Sequence, residues 1–290
     1  MSNEPFPSAA ATADGVLQCG RFRLPLARSR PLVMGILNLT PDSFSDGGRY
    51  HALDRALTHA EQMIAAGVDI IDIGGESTRP GSAAATLEEE LQRVLPAVHA
   101  LRACGKPLSV DTCKPLVMRE ALAAGADMIN DIRGFRTPGA LEAVVDSDCG
   151  LCIMHMQGEP RTMQAAPFYQ DVVAEVAEFL EQRCRELEAA GIDGARICID
   201  PGFGFGKDLT HNIALMKNIG AIQAKLAKPL LAGMSRKSML GAITGQPVEN
   251  RLAASLAAAM IAASQGVAIL RVHDVAETVD ALKIWQATGS

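Results

Sequence analysis

The 290-residue chain carries 27 Lys and Arg against 33 Asp and Glu, a net charge of −6, and 48% of it is hydrophobic with only eight Phe, two Tyr and one Trp. That length buries a large core, in two ordinary domains or one α/β barrel, and an acidic balance with no basic run excludes an electrostatic footprint for nucleic acid. The apolar runs are short and interrupted, so nothing reads as a membrane span, and seven scattered Cys argue for a reducing cytoplasm rather than a disulfide framework.

Residues 1–14 are rich in Ser, Ala, Pro and Thr without periodicity, which predicts a mobile tail. Acidic Glu4 and the absence of a basic, apolar start argue against a secretory signal. Residues 16–30 hold two short runs around Gly20 and predict a β-hairpin placed to cover the bottom of the main fold. Strand candidates then begin near residues 32, 68, 107, 127, 150, 195, 229 and 267. Between them run helical patterns. Leu53, Ala56, Leu57, Ala60, Met63 and Ile64 keep a 3.6-residue period up to Gly67, and Thr86 with Glu89 forms a capping box ahead of Leu91, Val94, Leu95, Val98 and Leu101. Val172, Val176, Phe179, Leu180, Cys184 and Leu187 mark a longer helix stopped at Gly191, and residues 251–264 form an Ala-rich helix suited to packing on a sheet or on a second subunit.

Eight nearly continuously apolar strands alternating with helices predict one α/β domain over residues 15–290, a single (β/α)₈ TIM barrel with an N-terminal hairpin. An open doubly wound sheet would carry a Gly-rich turn after its first strand; Thr40, Pro41, Asp42, Ser43 and Phe44 stand there instead. In a barrel the side chains at the C-terminal strand ends converge on one mouth. Reading each strand to its exit gives Asn38; Asp72, Gly74, Gly75 and Glu76; Asp111; Asn130 and Asp131; Met154 and His155; Asp200; Ser235, Arg236 and Lys237; then Arg271 and His273. Amides and carboxylates fill one side and cations the other, a mouth suited to a polar heterocycle together with an anion. Arg271 and His273, two residues apart, are placed to clamp a diphosphate, and Ser238 opens a helix whose free N–H groups suit a carboxylate or phosphate. An ion pair from Arg271 to a neighbouring Asp is an equally good reading of that residue alone.

Two patterns invite over-reading. Cys149 and Cys152 form CxxC, but on a strand residues three apart face opposite sides, so they read as small buried side chains. GFGFGK, residues 202–207, lacks the first Gly and the Ser or Thr of a phosphate-binding Walker loop, because Pro201 and Asp208 occupy those positions; it reads as a tight loop after the sixth strand.

NLTPDSFSDGG, IGGESTRPG, SVDT, NDIRG, MHMQG, DPGFGFGK, GMSRKS and RVHDV occur in this order across residues 38–275. Together they resemble dihydropteroate synthase over roughly residues 16–288. The resemblance implies a cytoplasmic enzyme of folate biosynthesis, a transferase that joins 6-hydroxymethyl-7,8-dihydropterin diphosphate to 4-aminobenzoate, giving 7,8-dihydropteroate and diphosphate. It further implies that Asp111, Asn130, Met154, Asp200, Lys237 and Arg271 hold the pterin, and that Asn38 ligates a Mg²⁺ cofactor. Arg271, His273 and Thr78 would grip the diphosphate, and Phe44, Arg79, Pro80 and Ser238 would form the aminobenzoate pocket, where sulfonamides compete. Asp111 and Asp46, with Lys237 and Arg271, would act in the chemical step, and a homodimer through the Ala-rich helix and its neighbour is implied. His155 is expected to be a packed strand-end residue rather than a base. A corrinoid methyltransferase of the pterin-binding type would have no use for the diphosphate clamp or the SFSDGG and STRPG loops. A catalytically silent pterin binder would be free to lose Asn38 and the loop residues, all of which are present.

Overall fold

The computed structural model describes residues 15–40, 48–77, 84–159 and 162–288. The expected tail (residues 1–14) and the candidates Phe44, Asp46, Thr78, Arg79 and Pro80 lie outside the described residues. The chain opens with the expected hairpin, β1 (Val16–Cys19) and β2 (Phe22–Pro25), turning at Gly20 with φ +53°. Eight parallel strands follow: β3 (Leu32–Asn38), β4 (Ile70–Gly74), β5 (Leu108–Asp111), β6 (Met128–Asp131), β7 (Gly150–Met154), β8 (Ile197–Asp200), β9 (Leu231–Ala232) and β10 (Ile269–Val272). Their order, β8-β7-β6-β5-β4-β3-β10-β9, is closed by a single parallel bridge between Ile199 and Leu230. The fold is therefore a nearly closed parallel barrel with a short closing strand.

Helices α1 (Gly48–Ala65), α2 (Leu87–Leu101), α3 (Pro115–Ala124), α4 (Val172–Ala189), α5 (Leu209–Leu226), α6 (Ser238–Thr244), α7 (Leu252–Ser264) and α8 (Val275–Ala287) surround the strands. The local signals act as expected. Val68 N–H donates to Met63 O and Gly67 N–H to Ile64 O, a Schellman-type stop at φ +93°. Thr86 and Glu89 exchange both bonds of the capping box. The alternation of strand and helix breaks once: between β6 and β7, residues 132–147 fold into successive turns, pinned by buried Arg196, whose guanidinium donates to the carbonyls of Val144 and Cys149.

The two-residue period of the strands sorts the core. Val33, Ile71, Ile73, Val110, Ile129, Leu151, Ile153 and Leu270 face the helices, whereas Leu32, Met34, Ile70, Met128, Cys152, Cys198, Leu231 and Ile269 face inward. Leu17 and Cys19 of the hairpin join that inner cluster and plug the bottom of the barrel. Cys149 and Cys152 fall into different clusters, as opposite strand faces require, and all seven cysteines are free. Among the described residues no helix is long and apolar enough to cross a membrane.

Candidate active site

Continuing the inward parity upward turns the lining from apolar to polar. After Ile70 comes Asp72; after Ser109, Asp111; after Met128, Asn130; after Cys152, Met154; after Cys198, Asp200; and after Ile269, Arg271. Strand register then makes neighbours of them. Asp111 pairs with Asn130, Met154 with Asp200, Asn38 with Gly74, and Gly74 with Asp111.

Arg271 organises the floor. Its Nε donates to Asp72 Oδ2 at 2.6 Å and its Nη2 to Asp111 Oδ2 at 2.8 Å. Asn130 Nδ2 approaches the same Asp72 oxygen at 3.5 Å, while Asp72 Oδ1 and Asn130 Oδ1 are buried with no hydrogen-bond partner among the described residues. Burial pushes Asp111 up to about 7, against the pull of Arg271 and with the push of Asp72. Burial also raises Asp200, whose Oδ1 accepts from Gly202 N–H at 2.7 Å, with Lys237 and Arg271 opposing. Asp131, buried but accepting from the N–H groups of Arg133 and Phe135, is raised to about 6. For Arg271 itself burial favours the neutral form, and Asp72 and Asp111 more than reverse it, so the guanidinium is held charged.

Lys237 enters from the loop after β9, its Nζ 4.2 Å above the Phe205 ring, and burial with repulsion from Arg271 pushes it down to about 8. Its neighbour Ser238 is exposed at the start of α6. His273 lies just past β10 and packs differently from Arg271. Its Nδ1 lies 3.1 Å from Ser235 Oγ, and burial and nearby Arg271 and Arg236 push it down to about 3. Arg236 turns away to an ion pair with Asp274. Beside Asn38 and His273 opens a cavity of about 520 Å³ that runs between α1 and α8 past His59, Gln62 and Glu277. His155 is the packed residue it was expected to be, buried and edge-on to Phe179 at 4.9 Å.

The strand-exit reading included Asp72 but gave it no task, and it passed over Phe205 and Lys207. The signal for Asp72 was present, since it shares parity with Ile70 on a strand paired to both β3 and β5. No sequence pattern gives the direction of the Arg271 side chain.

A model of pterin binding enzymes matches residues 34–273, from β3 to the end of the ring just described. The dihydropteroate synthase of Escherichia coli is 52% identical over 263 residues, covering 90% of this chain and 93% of that protein, and that of Haemophilus influenzae is 51% identical over 265 residues, covering 90% and 95%. The chain belongs to the dihydropteroate synthase family of pterin-binding enzymes. Solved members superpose closely. The Burkholderia cenocepacia synthase complexed with 7,8-dihydropteroate is 56% identical with a TM-score of 0.86, covering 94% of this chain and 96% of that one. The Xanthomonas albilineans synthase with 4-aminobenzoic acid is 50% identical with a TM-score of 0.89, covering 96% and 99%, and the Yersinia pestis synthase in a sulfonamide complex is 50% identical with a TM-score of 0.88, covering 94% and 98%.

The donor set of this family member limits the kind of metal it fits. Among the described residues no group of three or more His, Cys, Asp or Glu is suited to a metal ion. Asn38 offers one neutral amide oxygen at the mouth. Such a site fits Mg²⁺ that arrives with substrate phosphates and keeps its waters, and does not fit an ion caged by protein.

Proposed function

We propose that this chain condenses 6-hydroxymethyl-7,8-dihydropterin diphosphate with 4-aminobenzoate to give 7,8-dihydropteroate and diphosphate. The observation that carries the reading is the complementarity of the mouth. Buried Asp200 and Asn130, whose Oδ1 has no partner among the described residues, and the partly exposed Asp111 are acceptors on one side, and Lys237 is a donor on the other. A pterin presents ring N–H and amino donors along one edge and an oxygen and a ring nitrogen along another, so it satisfies both sides at once. Met154 lines the pocket, and Arg271 lies against the ring face once it releases Asp111.

The chemistry is substitution at the pterin methylene carbon. The bond from that carbon to the diphosphate oxygen breaks and the aniline nitrogen forms the new one, losing a proton. Mg²⁺ bound to the diphosphate at Asn38 would supply charge neutralisation for the leaving group. Arg271 and His273, with Thr78 from the loop after β4, bind the phosphate oxygens. Asp111, together with Asp46, stabilises positive charge developing on the pterin methylene. The aniline is uncharged at neutral pH, so no strong base is assigned, in keeping with a buried His155. Ser238, Phe44, Arg79 and Pro80 form the aminobenzoate pocket, where sulfonamides compete; the complexes of the Xanthomonas and Yersinia proteins support 4-aminobenzoate and sulfonamides as ligands.

A homodimer and a cytoplasmic location belong to the same reading. Ile243, Val248, Leu252 and Ile261 are exposed on and around α6 and α7, an apolar face suited to a second copy, and seven free cysteines suit a reducing compartment. The deciding experiment is diphosphate release by the purified protein given the pterin diphosphate and Mg²⁺, with and without 4-aminobenzoate. Mg²⁺-dependent release with dihydropteroate formed is the expected result. Tight pterin binding without release would leave a carrier or a methyltransferase.

A further inference from the structure

Lys207 closes the glycine-rich run after β8, and nothing in the proposed chemistry uses it. It is 2% exposed, and among the described residues it makes no ion pair. A lysine without a carboxylate is expensive to bury unless neutral acceptors take all its protons. Here they do. Nζ lies 3.0 Å from Gly202 O, 3.0 Å from Phe205 O and 2.9 Å from His155 Nδ1, with His155 O at 3.4 Å. Burial and the neighbouring Lys207 and Arg136 push His155 down to about 2, so its imidazole stays neutral and offers Nδ1 as an acceptor.

The loop needs such an internal donor. Gly202, Gly204 and Gly206 all have positive φ, and a Cβ on Gly202 would stand 2.0 Å from His155 O, on Gly206 2.2 Å from Gln157 O. The backbone of residues 201–206 is thus pressed against the exit of β7, with two of its carbonyls turned inward to one point. The same loop presents two parts of the pterin pocket. Gly202 N–H fixes Asp200 Oδ1, and the Phe205 ring sits beneath Lys237 Nζ.

We propose that Lys207 is a positioning residue for the pterin half of the site, its Nζ tying the loop carbonyls of Gly202 and Phe205 to the His155 imidazole so that Asp200 and the Phe205–Lys237 pair are presented together. The inference rests on the synthase reading above. It has a selective consequence. The pterin contacts depend on this loop, whereas the aminobenzoate residues Ser238, Phe44, Arg79 and Pro80 belong to other segments.

Lys207→Met keeps the length of the side chain and removes its donors. The expected result is a folded protein by circular dichroism whose KM for the pterin diphosphate rises at least tenfold, while the KM for 4-aminobenzoate at saturating pterin moves less than twofold. His155→Leu and His155→Gln make the second arm and decide the matter if the Lys207 variant does not fold. Gln restores an acceptor for the ammonium and should hold the pterin KM within about threefold, whereas Leu should raise it well beyond that. Equal changes in both KM values, a fall in kcat alone, or His155 variants that behave alike would overturn the inference. Wild-type protein that turns over normally isolates such a failure to Lys207; wild-type protein that binds the pterin but forms no dihydropteroate overturns the synthase reading instead, and calorimetric pterin binding to the same variants then tests the positioning role directly.

Discussion

Arg271 and Asp111, 160 positions apart, meet at the barrel mouth with Nη2 donating to Oδ2 at 2.8 Å, while the same guanidinium holds Asp72 at 2.6 Å. One cation thus serves two carboxylates, Asp72 fully buried and Asp111 partly exposed at the mouth. A ligand that offers N–H groups to Asp111 must displace the Arg271 Nη2 donor from it, and Arg271 keeps Asp72 as its anchor.

Asp111→Asn is expected to separate function from stability. The amide cannot replace a charged acceptor, so kcat/KM for the pterin diphosphate should fall by roughly 10²-fold, the scale of a lost charged hydrogen bond of about 2–3 kcal/mol. Stability should move the other way. A carboxyl raised in the folded state to about 7 from an ordinary 3.8 destabilises the native protein once it must ionise, by a few kcal/mol at about 1.4 per unit. The penalty is absent near pH 4 and complete above pH 7. Thermal melts at pH 4 and pH 8 check this: the variant should come close to wild type at the lower pH and exceed it at the higher, and a variant that melts lower at pH 8 would make Asp111 a structural residue.

Activity should show a narrow pH optimum. Asp111, raised to about 7 by burial, becomes a charged acceptor only above that pH, and Lys237, lowered to about 8 by burial and Arg271, ceases to be a charged donor above it. The profile of kcat/KM for the pterin diphosphate should rise through pH 7 and fall beyond pH 8. Lys237→Met should lose the falling limb along with much of the affinity.

Much of this site is legible in the sequence because a parallel barrel imposes simple rules. Period two from Ile70 carries Asp72 inward, and a strand ending at Asp200 or Asn130 delivers its last polar side chain to the mouth. What escapes is non-local. An ion pair from Arg271 to an Asp is one of the two readings open to the sequence and it forms, but that its partners are Asp72 and Asp111 depends on side-chain direction across the barrel, which spacing does not encode. Lys207 escapes because the glycines of GFGFGK invite comparison with a phosphate loop, and the failure of that match says nothing of where the lysine points. The missing helix between β6 and β7 follows from anchoring by Arg196, some fifty residues downstream of the segment it holds.

Chelation should abolish turnover and leave the fold untouched. Among the described residues the mouth offers Asn38 and no protein cage, so metal binding is expected to contribute nothing to stability without the diphosphate. With EDTA, diphosphate release should stop while the melting temperature stays within error. Asn38→Ala should raise the Mg²⁺ concentration needed for half-maximal rate, by about tenfold for the loss of one ligand worth roughly 1.4 kcal/mol. A Mg²⁺ requirement unchanged in that variant would remove Asn38 from the metal site.

The opposite end of the barrel should report on stability alone. Arg21, on the turn of the hairpin, donates from Nε to Asp127 Oδ1 at 2.8 Å and from Nη2 to Oδ2 at 2.9 Å, and it also caps the carbonyls of Arg102 and Gly125. The pair is asymmetric, with side-chain exposures of 50% for Arg21 and 1% for Asp127. Arg21→Ala leaves a buried carboxylate with the Leu108 N–H as its remaining strong partner, at 3.0 Å. Losing one partner of a buried ion pair costs about 3–5 kcal/mol, and the exposure of Arg21 places this case at or below the lower figure. The hairpin would also loosen where Leu17 and Cys19 plug the inner cluster. Urea denaturation should therefore show a lower midpoint for Arg21→Ala, and the KM values for both substrates should remain those of wild type, because the mouth is built from the strand exits and not from the plug. A shifted pterin KM would mean that the hairpin sets the height of the strands in the barrel.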